Sequence, residues 1–312
     1  MGTPESAVPS LDAILAAGHE IPLVVTQPDR PAGRSGAPRP PPVKVRAEAH
    51  GIPVIQPAKV RTPDFRAAVA DAAPDVIAVV AYGRILTRPV RDTARMGAVN
   101  LHFSLLPAYR GAAPVQWALA RGEHVTGITT FRLDDGLDTG DVLAHRKVPI
   151  FEGEHAPALL ARLAEEGAAL LVGTLVGLAA GSIRPVPQDA TTATAAPRLR
   201  AEDGLWDPVW SASELSGRVR GFDPWPGVWA ASRAKRLRIV ESSPVAAVET
   251  EAPPGTVLAL YGDALRIACA NGTVAAISSI QPEGGCAMRA RDAVNGRLLT
   301  PGDRLERPQP AA

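Results

Sequence analysis

Gly97–Pro114, with the sequence GAVNLHFSLLPAYRGAAP, is the stretch that decides the fold. It begins with the short apolar run Gly97–His102 and continues through a segment that contains prolines and glycine. A continuous apolar run of this kind is typical of a strand that helices cover on both faces, as in a parallel α/β sheet. The stretch therefore predicts a buried strand that ends in a polar loop, followed by the beginning of a helix.

Similar short apolar runs occur on both sides of this stretch. Short apolar runs alternate with helical patterns through the first 150 residues, which favours an α/β fold with an open, doubly wound, mostly parallel sheet. The predicted strands are Ile21–Thr26, Asp75–Ala81, Gly97–His102, Gly127–Leu133 and Val142–Ile150. The predicted helices are Ser10–Ala17, Val43–His50, Pro63–Ala72, Ala113–Arg121 and Glu154–Ala180.

The texture changes after residue 182. Residues 183–204 are rich in threonine, alanine and proline and show no period, so we interpret them as a linker between two domains. We expect a first domain over residues 1–182 and a second over residues 205–312, where glycine-containing turns separate short strand-like runs. This pattern predicts a small β-barrel or sandwich, of which we favour an OB-like barrel. The runs are Trp225–Arg238, Gly255–Leu260, Ala264–Ala270 and Thr273–Gln281.

Composition and charge narrow the classes of protein. The net charge of the 312 residues is +1, so a nucleic-acid surface must come from local clusters of charge rather than from bulk charge. Cys269 and Cys286 form no CxxC or Cys/His pattern, which disfavours a disulfide framework and a zinc site. No apolar run reaches the length of a membrane span and the first residues lack a secretory-signal pattern, so we expect a cytoplasmic protein.

Asn100 and His102 lie two residues apart at the end of the predicted strand, so their side chains point to the same face of the sheet. The carboxyl ends of parallel strands are where open α/β sheets bind ligands. A histidine there can exchange protons near neutral pH, and an asparagine beside it can donate an N–H to an oxygen that gains negative charge. On the pattern alone, an Asn-x-His pair is more often structural than catalytic.

The acidic turn Asp134–Asp141, DDGLDTGD, follows the next predicted strand. Its two glycines let the backbone fold tightly, and Asp138 lies in the middle, where the loop can return it to the histidine. A carboxylate near an imidazole holds the orientation of the ring and stabilises its charged form. Two alternatives stay open: an ordinary turn, and a calcium loop, although the spaced ligands of an EF-hand are absent.

Pro28–Pro42, PDRPAGRSGAPRPPP, has no apolar periodicity and is predicted to be an exposed, partly extended loop. A loop of this length inside a compact domain is usually functional or disordered. It contains Arg30, Arg34 and Arg39, and Lys44 follows it, so it offers one local basic cluster. The alternative is a loop that is merely solvated.

A second basic cluster lies on a strand-like stretch of the β-rich part. It could contact an RNA backbone, or its charges could simply guard an edge strand against pairing with another chain. Two nearby tryptophans, Trp225 and Trp229, could stack on bases, but we interpret both as core residues. The cluster consists of Arg233, Lys235, Arg236 and Arg238.

Taken together, these motifs closely resemble those of the methionyl-tRNA formyltransferase family. The central match is Asn100-x-His102-x-Ser104-Leu-Leu-Pro107, then Arg110-Gly-Ala-Ala-Pro114, then Gly136-Leu-Asp-Thr-Gly-Asp141. The Asn-x-His and Leu-Asp-x-Gly parts alone would indicate only the wider formyltransferase group. The likeness covers nearly the whole chain. Further landmarks include Gly2-Thr-Pro4, Thr26-Gln-Pro-Asp-Arg-Pro-Ala-Gly-Arg34, Pro42-Val-Lys44, Val80-Ala-Tyr-Gly83, Gln188-Asp189, Arg220-Gly-Phe-Asp-Pro-Trp-Pro-Gly227 and Pro301-Gly-Asp303.

The resemblance implies an acyl transfer, in which the amino group of initiator methionyl-tRNA attacks the formyl carbon of 10-formyltetrahydrofolate. No metal is implied. By position, Asn100, His102 and Asp138 match the catalytic trio of the family, with Asn100 and protonated His102 placed to stabilise an oxyanion. The resemblance also implies a monomer.

The resemblance further implies two binding regions, one for folate and one for tRNA. In this family the loop around Gly33 and Arg34 reads the tRNA, and the C-terminal barrel lies along it. Family loops commonly carry lysines just after this Gly-Arg step, whereas this chain has Ser35, Gly36 and Ala37. The implied folate contacts are Ser104, Leu105, Leu106, Pro107, Arg84, Ile85 and Leu86. The implied or candidate tRNA contacts are Arg30, Arg34, Arg39, Lys44, Arg233, Lys235 and Arg236.

The first strand of the resembled fold is expected to be missing. In the family an apolar strand precedes Gly2-Thr3-Pro4, whereas this sequence starts at Met1. That strand is central in a doubly wound sheet, so its loss would remove ladder bonds from both neighbouring strands. Two explanations stay open: a start codon assigned too far downstream, or a real truncation that leaves the protein unstable or inactive.

Three other functions compete with this interpretation. A sibling formyltransferase could act on a small amine such as a purine-pathway ribonucleotide or an amino sugar, but the purine sibling resembles only the first domain. A dinucleotide oxidoreductase is disfavoured because no GxGxxG motif follows a strand. An RNA-binding remnant with a silent site is disfavoured by the intact Asn100, His102 and Asp138.

Overall fold

The computed structural model describes residues 1–31, 36–233 and 235–308 and divides into two compact units. The first unit consists of Met1–Pro114, Val125–Pro149 and Leu160–Pro197. The second consists of Val115–His124, Ile150–Leu159 and Arg198–Ala312. The domain boundaries at residues 182 and 205 stay a prediction.

The described residues contain eight α-helices and fourteen short strands. The helices are α1 (Val8–Ala16), α2 (Pro42–Ala49), α3 (Pro63–Asp71), α4 (Arg88–Arg91), α5 (Pro114–Ala120), α6 (Ala156–Ala179), α7 (Ala212–Gly221) and α8 (Ala290–Asn295). The strands are β1 (Val24–Val25), β2 (Arg30–Pro31), β3 (Pro38–Arg39), β4 (Val54–Ile55), β5 (Ile77–Val80), β6 (Ala98–His102), β7 (Val125–Arg132), β8 (Val142–Pro149), β9 (Val228–Ser232), β10 (Lys235–Pro244), β11 (Val257–Tyr261), β12 (Ala264–Ala268), β13 (Val274–Pro282) and β14 (Met288–Arg289).

Parallel strand pairs form the centre of the first unit, as the apolar runs predicted. β1 pairs in parallel with β4, and β5 pairs in parallel with β6. β7 and β8 extend the second sheet in antiparallel fashion, in the order β5-β6-β7-β8. The predicted α/β fold class is therefore confirmed, although the run Ile21–Thr26 is paired over only two residues in β1.

Met1 and Gly2 link β1 to β5 through backbone hydrogen bonds. The Met1 amino group donates to the Ala78 carbonyl over 2.6 Å, and the Val80 N–H donates to the Met1 carbonyl over 2.9 Å. On the other side, the Gly2 N–H donates to the Val25 carbonyl over 3.1 Å. These two residues thus lie between β1 and β5 and are bonded to both.

A cavity of about 560 Å³ lies beside Met1, and residues of both β1 and β5 line it. Apolar side chains such as Leu11 and Ile14 of α1 and Leu175 of α6 form much of its wall. Burial lowers the pKa of the Met1 amino group to about 5, because the charged form loses its hydration there. Next to Met1, β1 and β5 thus border a cavity.

The apolar face of α3 packs into a core cluster of the first unit. The Thr62 side chain accepts a hydrogen bond from the Phe65 N–H and Pro63 follows it, which starts the helix where the sequence predicted. Phe65 and Val69 are buried against residues of β5. Tyr82 is buried in the same cluster, and burial raises the pKa of its hydroxyl to about 12.

The second unit is built on a six-stranded antiparallel sheet in the order β11-β12-β13-β10-β9, with β14 paired to β13. The predicted β-rich second part is confirmed as an antiparallel sheet, but these pairings alone do not close a barrel. Single antiparallel bridges join each edge strand region to the chain near residue 305, Ala231 with Glu306 and Thr256 with Arg304. The predicted barrel is thus a sheet whose two edges meet only through isolated bridges.

Several details differ from the sequence-based prediction. The run Trp225–Arg238 is not one strand, because β9 and β10 form a hairpin in which Ser232 pairs with Lys235. Helices α7 and α8 were not predicted, since both are short and their signals are local caps such as the Ser211–Glu214 box. Trp225 is 55% exposed, so its interpretation as a core residue was wrong. No α-helix of the described ranges is both long and apolar enough to cross a membrane.

Candidate active site

The strand β6 carries Asn100 and His102 into the middle of the β5-β6-β7-β8 sheet, because it pairs with β5 on one side and with β7 on the other. The two residues alternate on the strand, so they lie on one face, as predicted. His102 is only 7% exposed, and its ring meets the Phe131 ring edge-on at a centroid distance of 6.3 Å. Asn100 is half-buried.

The hydrogen bond of the His102 ring determines its neutral tautomer. Nε2 lies 2.9 Å from the Tyr109 carbonyl oxygen, which can only accept, so Nε2 carries the proton. Nδ1 is then the unprotonated nitrogen, and it lies 3.8 Å from Oδ2 of Asp138, beyond hydrogen-bond range. Burial lowers the pKa of His102, while the Asp138 carboxylate and the Tyr109 carbonyl act in the opposite direction.

Asp138 is held in place by its backbone conformation and by one strong acceptor contact. Its φ is 55°, in the left-handed region, and its Oδ2 accepts a hydrogen bond from the Gly111 N–H over 2.8 Å. Its side chain is 15% exposed. The tight turn needs Gly140, since a Cβ there would lie 1.8 Å from the Arg132 carbonyl oxygen.

The other acidic residue that shapes this turn, Asp134, has an internal structural role. Its carboxylate accepts hydrogen bonds from the Thr139 hydroxyl over 2.8 Å and from the Gly136 N–H over 3.0 Å. These contacts close the turn that presents Asp138. Within the described ranges, no group of three or more His, Cys, Asp or Glu residues is arranged to hold a metal ion.

The segment Ser104–Pro107, matched to the folate-contacting segment, is fastened to β7. The Thr129 hydroxyl donates to the Ser104 carbonyl over 2.6 Å and accepts from the Leu106 N–H at 3.2 Å. Leu105 packs against Gly127, where an added Cβ would lie 2.4 Å from a Leu105 methyl carbon. The segment is therefore anchored to β7, and it begins two residues after His102.

The other segment matched to folate binding, Arg84–Leu86, is joined to the acidic turn by Arg91. The Arg91 guanidinium donates to the Leu86 carbonyl over 2.7 Å and pairs with the Asp135 carboxylate. Its own side chain is only 8% exposed. The segment Arg84–Leu86 presents the exposed apolar side chain of Ile85, and the acidic turn presents that of Leu137. Sequence reasoning missed Arg91, because nothing in its local pattern indicates a partner 44 residues away.

The candidate tRNA residues of the first unit are in different situations. Arg30 and Arg39 are exposed and face each other as partners in the β2–β3 pair. Gly33 and Arg34 lie outside the described residues. The Lys44 ammonium already donates to both Asp29 carboxylate oxygens, at 3.1 Å each.

The candidate tRNA residues of the second unit are largely ion-paired. Arg233 pairs with Asp303, and Arg236 donates to Glu283 over 2.9 Å while lying over the Trp229 ring. Lys235 is exposed at the beginning of β10. The fourth member of this cluster, Arg238, is bonded to Asp223 over 2.7 Å.

Fold and site together match one class of protein. A model of the formyl transferase family matches residues 1–175, and a model of the formyl transferase C-terminal domain matches residues 198–298. The first match contains β6 and the acidic turn, and the second contains most of the antiparallel sheet. The fold and the site thus define a protein of the formyltransferase class.

Full-length relatives narrow the class further. A methionyl-tRNA formyltransferase of Acidobacterium capsulatum is 48% identical over 97% of this chain and 97% of its own length. One from Anaeromyxobacter sp. strain K is 46% identical over 95% of both chains. The chain belongs to the methionyl-tRNA formyltransferase family.

Solved structures agree on the fold. An N-formyltransferase from Helicobacter canadensis, in complex with folinic acid and dTDP-3-aminofucose, superposes with a TM-score of 0.65 at 16% identity, covering 88% of this chain and 96% of that one. HypX from Aquifex aeolicus, in complex with tetrahydrofolic acid, reaches a TM-score of 0.54 at 20% identity over 80% of this chain and 44% of that one. At these identities the likeness concerns the fold alone.

Proposed function

We propose that this protein transfers the formyl group of 10-formyltetrahydrofolate to the amino group of initiator methionyl-tRNA. One observation carries the proposal: a buried His102 whose Nδ1 lies 3.8 Å from the Asp138 carboxylate, within the segments that match the formyl transferase family. The relatives that are 42–48% identical over nearly the full chain bear the name of this activity. The products are formylmethionyl-tRNA, which serves translation initiation, and tetrahydrofolate.

In the proposed mechanism, His102 acts first as a base. The neutral methionyl amine attacks the formyl carbon, and Nδ1 is the ring nitrogen that is free to accept the amine proton, directly or through one water. The imidazolium that results gains a favourable interaction with Asp138. The same proton then passes to the folate nitrogen as its bond to the formyl carbon breaks, so the enzyme ends in its starting state.

Asn100 is proposed to stabilise the oxyanion. It shares the face of β6 with His102, and an amide N–H that points at a developing negative charge lowers the barrier. Protonated His102 contributes to the same stabilisation later in the step. The resemblance placed a protonated His102 beside the oxyanion, and we propose that the ring gains this proton during the reaction, because burial favours the neutral ring in the free protein.

The folate is proposed to bind beside this pair through two segments. Ser104, Leu105, Leu106 and Pro107 adjoin His102 along the chain, and Arg84, Ile85 and Leu86 reach the acidic turn through Arg91. The exposed Ile85 and Leu137 side chains offer apolar surface to a flat ring. These positions support the assignment of both segments to folate binding.

The tRNA is proposed to contact the loop of residues 28–42 and the C-terminal sheet domain, residues 205–312. Arg30 and Arg39 are exposed on the β2–β3 pair, and Lys235 is exposed on β10, so their charges can reach phosphates. Arg34 belongs to the same loop. Arg233, Arg236 and Lys44 carry internal partners, which makes them weaker candidates for phosphate contacts. We further propose that the protein works as a monomer in the cytoplasm.

The proposal is tested by incubating the protein with 10-formyltetrahydrofolate and charged initiator tRNA and measuring formylmethionine. We expect turnover by the unchanged protein and a loss of about 10²- to 10⁴-fold in His102→Ala and Asp138→Ala, because each removes one member of the proton-transfer pair. His145→Ala is the matched control, since His145 is an exposed histidine on β8 and lies opposite Thr129.

Two outcomes would contradict the proposal. Near-normal turnover in either His102→Ala or Asp138→Ala would remove the pair from the mechanism. Tetrahydrofolate release with amino-sugar nucleotides or purine-pathway amines, but not with methionyl-tRNA, would indicate a sibling formyltransferase. Circular dichroism of each variant verifies that the fold is retained.

A further inference from the structure

The segment predicted as a linker is packed against the catalytic loops within the first unit. We call residues 186–196 the strap. At its beginning, Val186 and Val142 exchange backbone hydrogen bonds of 2.8 and 2.9 Å. Near its end, Ala195 forms a parallel bridge with Arg110. The strap therefore spans from β8, next to the acidic turn, to the loop that follows β6.

The side chain of Gln188 joins these two loops. Its Nε2 donates to the Asp138 carbonyl over 3.0 Å and to the Gly140 carbonyl over 2.7 Å. Its Oε1 accepts from Nη2 and Nε of Arg110, at 2.8 and 3.1 Å. Only one amide orientation satisfies these partners, since the two carbonyls can only accept and the guanidinium can only donate.

The two loops that Gln188 joins carry the two neighbours of His102. The acidic turn carries Asp138, whose φ of 55° is strained for a residue with a side chain. The other loop carries Tyr109, whose carbonyl holds Nε2 of His102. Gln188 bonds directly to the Asp138 backbone and to the side chain of Arg110, the residue that follows Tyr109. Its amide thus controls the separation of the two groups that orient the imidazole.

The end of the strap secures the Tyr109 side of the same arrangement. The Thr194 hydroxyl accepts from the Tyr109 N–H over 2.8 Å, and the Thr194 carbonyl accepts from the Arg110 N–H over 2.8 Å. Tyr109 also has a positive φ, 62°, and so needs outside support. The backbones approach so closely that a Cβ on Gly111 would lie 2.5 Å from the Ala196 carbonyl oxygen.

We propose that Gln188 is a positioning residue for formyl transfer, which holds Asp138 and the Tyr109 loop at the separation that His102 requires. The inference rests on the function proposed above. Gln188 itself touches neither of the two ring nitrogens, and it acts through the backbone of Asp138. Displacement of a reacting group by about 1 Å can lower a rate by about 10²-fold, so the loss of this side chain is expected to appear in kcat.

The kinetic test compares two variants of Gln188 in the full-length protein. Gln188→Met keeps the length of the side chain and removes all four hydrogen bonds, and we expect kcat to fall about 10²-fold while the KM values for tRNA and folate change by less than about threefold. Gln188→Glu keeps the contact with Arg110 but cannot donate to the Asp138 and Gly140 carbonyls. We therefore expect no rescue by Glu.

A second readout reports the site without turnover. Because the Asp138 carboxylate raises the pKa of His102, a displaced carboxylate lowers that pKa further. We expect the His102 imidazole of Gln188→Met to titrate below that of the unchanged protein in an NMR titration of the free enzyme. Asp189→Asn is the matched control, since the adjacent Asp189 carboxylate accepts hydrogen bonds from Thr191 within its own turn, and the variant should alter neither quantity.

Several results would overturn the inference. Wild-type kcat in Gln188→Met would do so, as would full activity in Gln188→Glu, which would reduce Gln188 to an anchor for Arg110. A lowered melting temperature with an unchanged His102 titration would indicate a purely structural role. If the unchanged protein formylates no methionyl-tRNA, the proposed function fails, whereas the His102 titration still decides the role of Gln188.

Discussion

At the scale of single residues, His102 is the group whose chemistry depends most on its surroundings. Its burial favours the neutral ring, and the carbonyl of Tyr109 determines which nitrogen keeps the proton. The Asp138 carboxylate opposes the effect of burial and stabilises the ring once it is protonated. A neutral ring can accept a proton at neutral pH, which is what the proposed mechanism requires of His102.

This arrangement predicts that the pKa of His102 is low although a carboxylate lies beside the ring. In the free protein, the His102 pKa should lie below the ordinary value of about 6.5, and Asp138→Asn should lower it further, because the variant removes the charge that favours the protonated ring. NMR titration of labelled imidazoles checks this, with His102→Gln to assign the signal. A rise of the His102 pKa in Asp138→Asn would contradict the geometry described here.

At the scale of elements, the β2–β3 pair is anchored at its base by a polar network. Lys44 at the beginning of α2 donates to Asp29, next to β2, and to the Gln56 amide oxygen over 2.8 Å. Gln56 in turn donates to Asp29 over 2.7 Å and to the Gln27 carbonyl over 2.8 Å. The hydrogen bond from Gln56, followed by those from Lys44, lowers the pKa of Asp29, so the carboxylate stays charged at neutral pH. The charge of Lys44 is therefore already compensated.

Because of this network, we expect different roles for Arg39 and Lys44, which the sequence analysis grouped as candidate tRNA contacts. Arg39→Gln should reduce the slope of log affinity for initiator tRNA against log salt by roughly 0.7 to 0.9, the value for one lost phosphate contact. Lys44→Met should leave that slope unchanged. Because it removes the bonds to Asp29 and Gln56, it should instead make the β2–β3 pair more sensitive to limited proteolysis. Binding measured between about 50 and 200 mM salt compares them. An equal loss of slope in both variants would assign Lys44 to the phosphate contacts.

At the scale of the whole molecule, the unfolding of the two units can be measured separately. All five tryptophans belong to the second unit, so their fluorescence reports its unfolding alone. In the first unit, the Met1 amino group lies at the edge of the cavity between β1 and β5, with its pKa lowered to about 5 from 8.0. The folded state disfavours the charged amine there, which couples the stability of this unit to pH.

The coupling has a definite sign for a chain that begins at Met1. Between pH 8 and pH 5 the amine is protonated in the unfolded chain but neutral in the folded one. The free energy of unfolding should therefore fall by up to about 1.4 kcal/mol per pH unit as the pH drops towards 5. Hydrogen exchange of the amides of residues 77–80, corrected for intrinsic rates, measures this between pH 8 and pH 6.5. The N-acetylated chain, verified by intact mass, should lack the slope in that range. Tryptophan fluorescence should show no effect of acetylation, and a slope that survives acetylation would argue against the amine.

The sequence alone predicted the main strands and helices of the first unit and named Asn100, His102 and Asp138 as the candidate catalytic residues. Apolar runs indicated β5 and β6, the spacing of Asn100 and His102 put both on one face, and two glycines marked the turn around Asp138. These features are local, because strand alternation and turn conformation depend on residues a few positions apart. The chain-wide resemblance to the formyltransferase family rested on the same short motifs.

The tertiary structure decided the protonation and the support of the site. Burial and the Tyr109 carbonyl set the state of His102, and Asp29 compensates Lys44, which no local pattern shows. The bond between Gln188 and the Asp138 backbone spans 50 residues, and that between Thr194 and Tyr109 spans 85. A segment without periodicity looks like a linker in sequence, because its structure comes from the hydrogen bonds that it makes to distant loops.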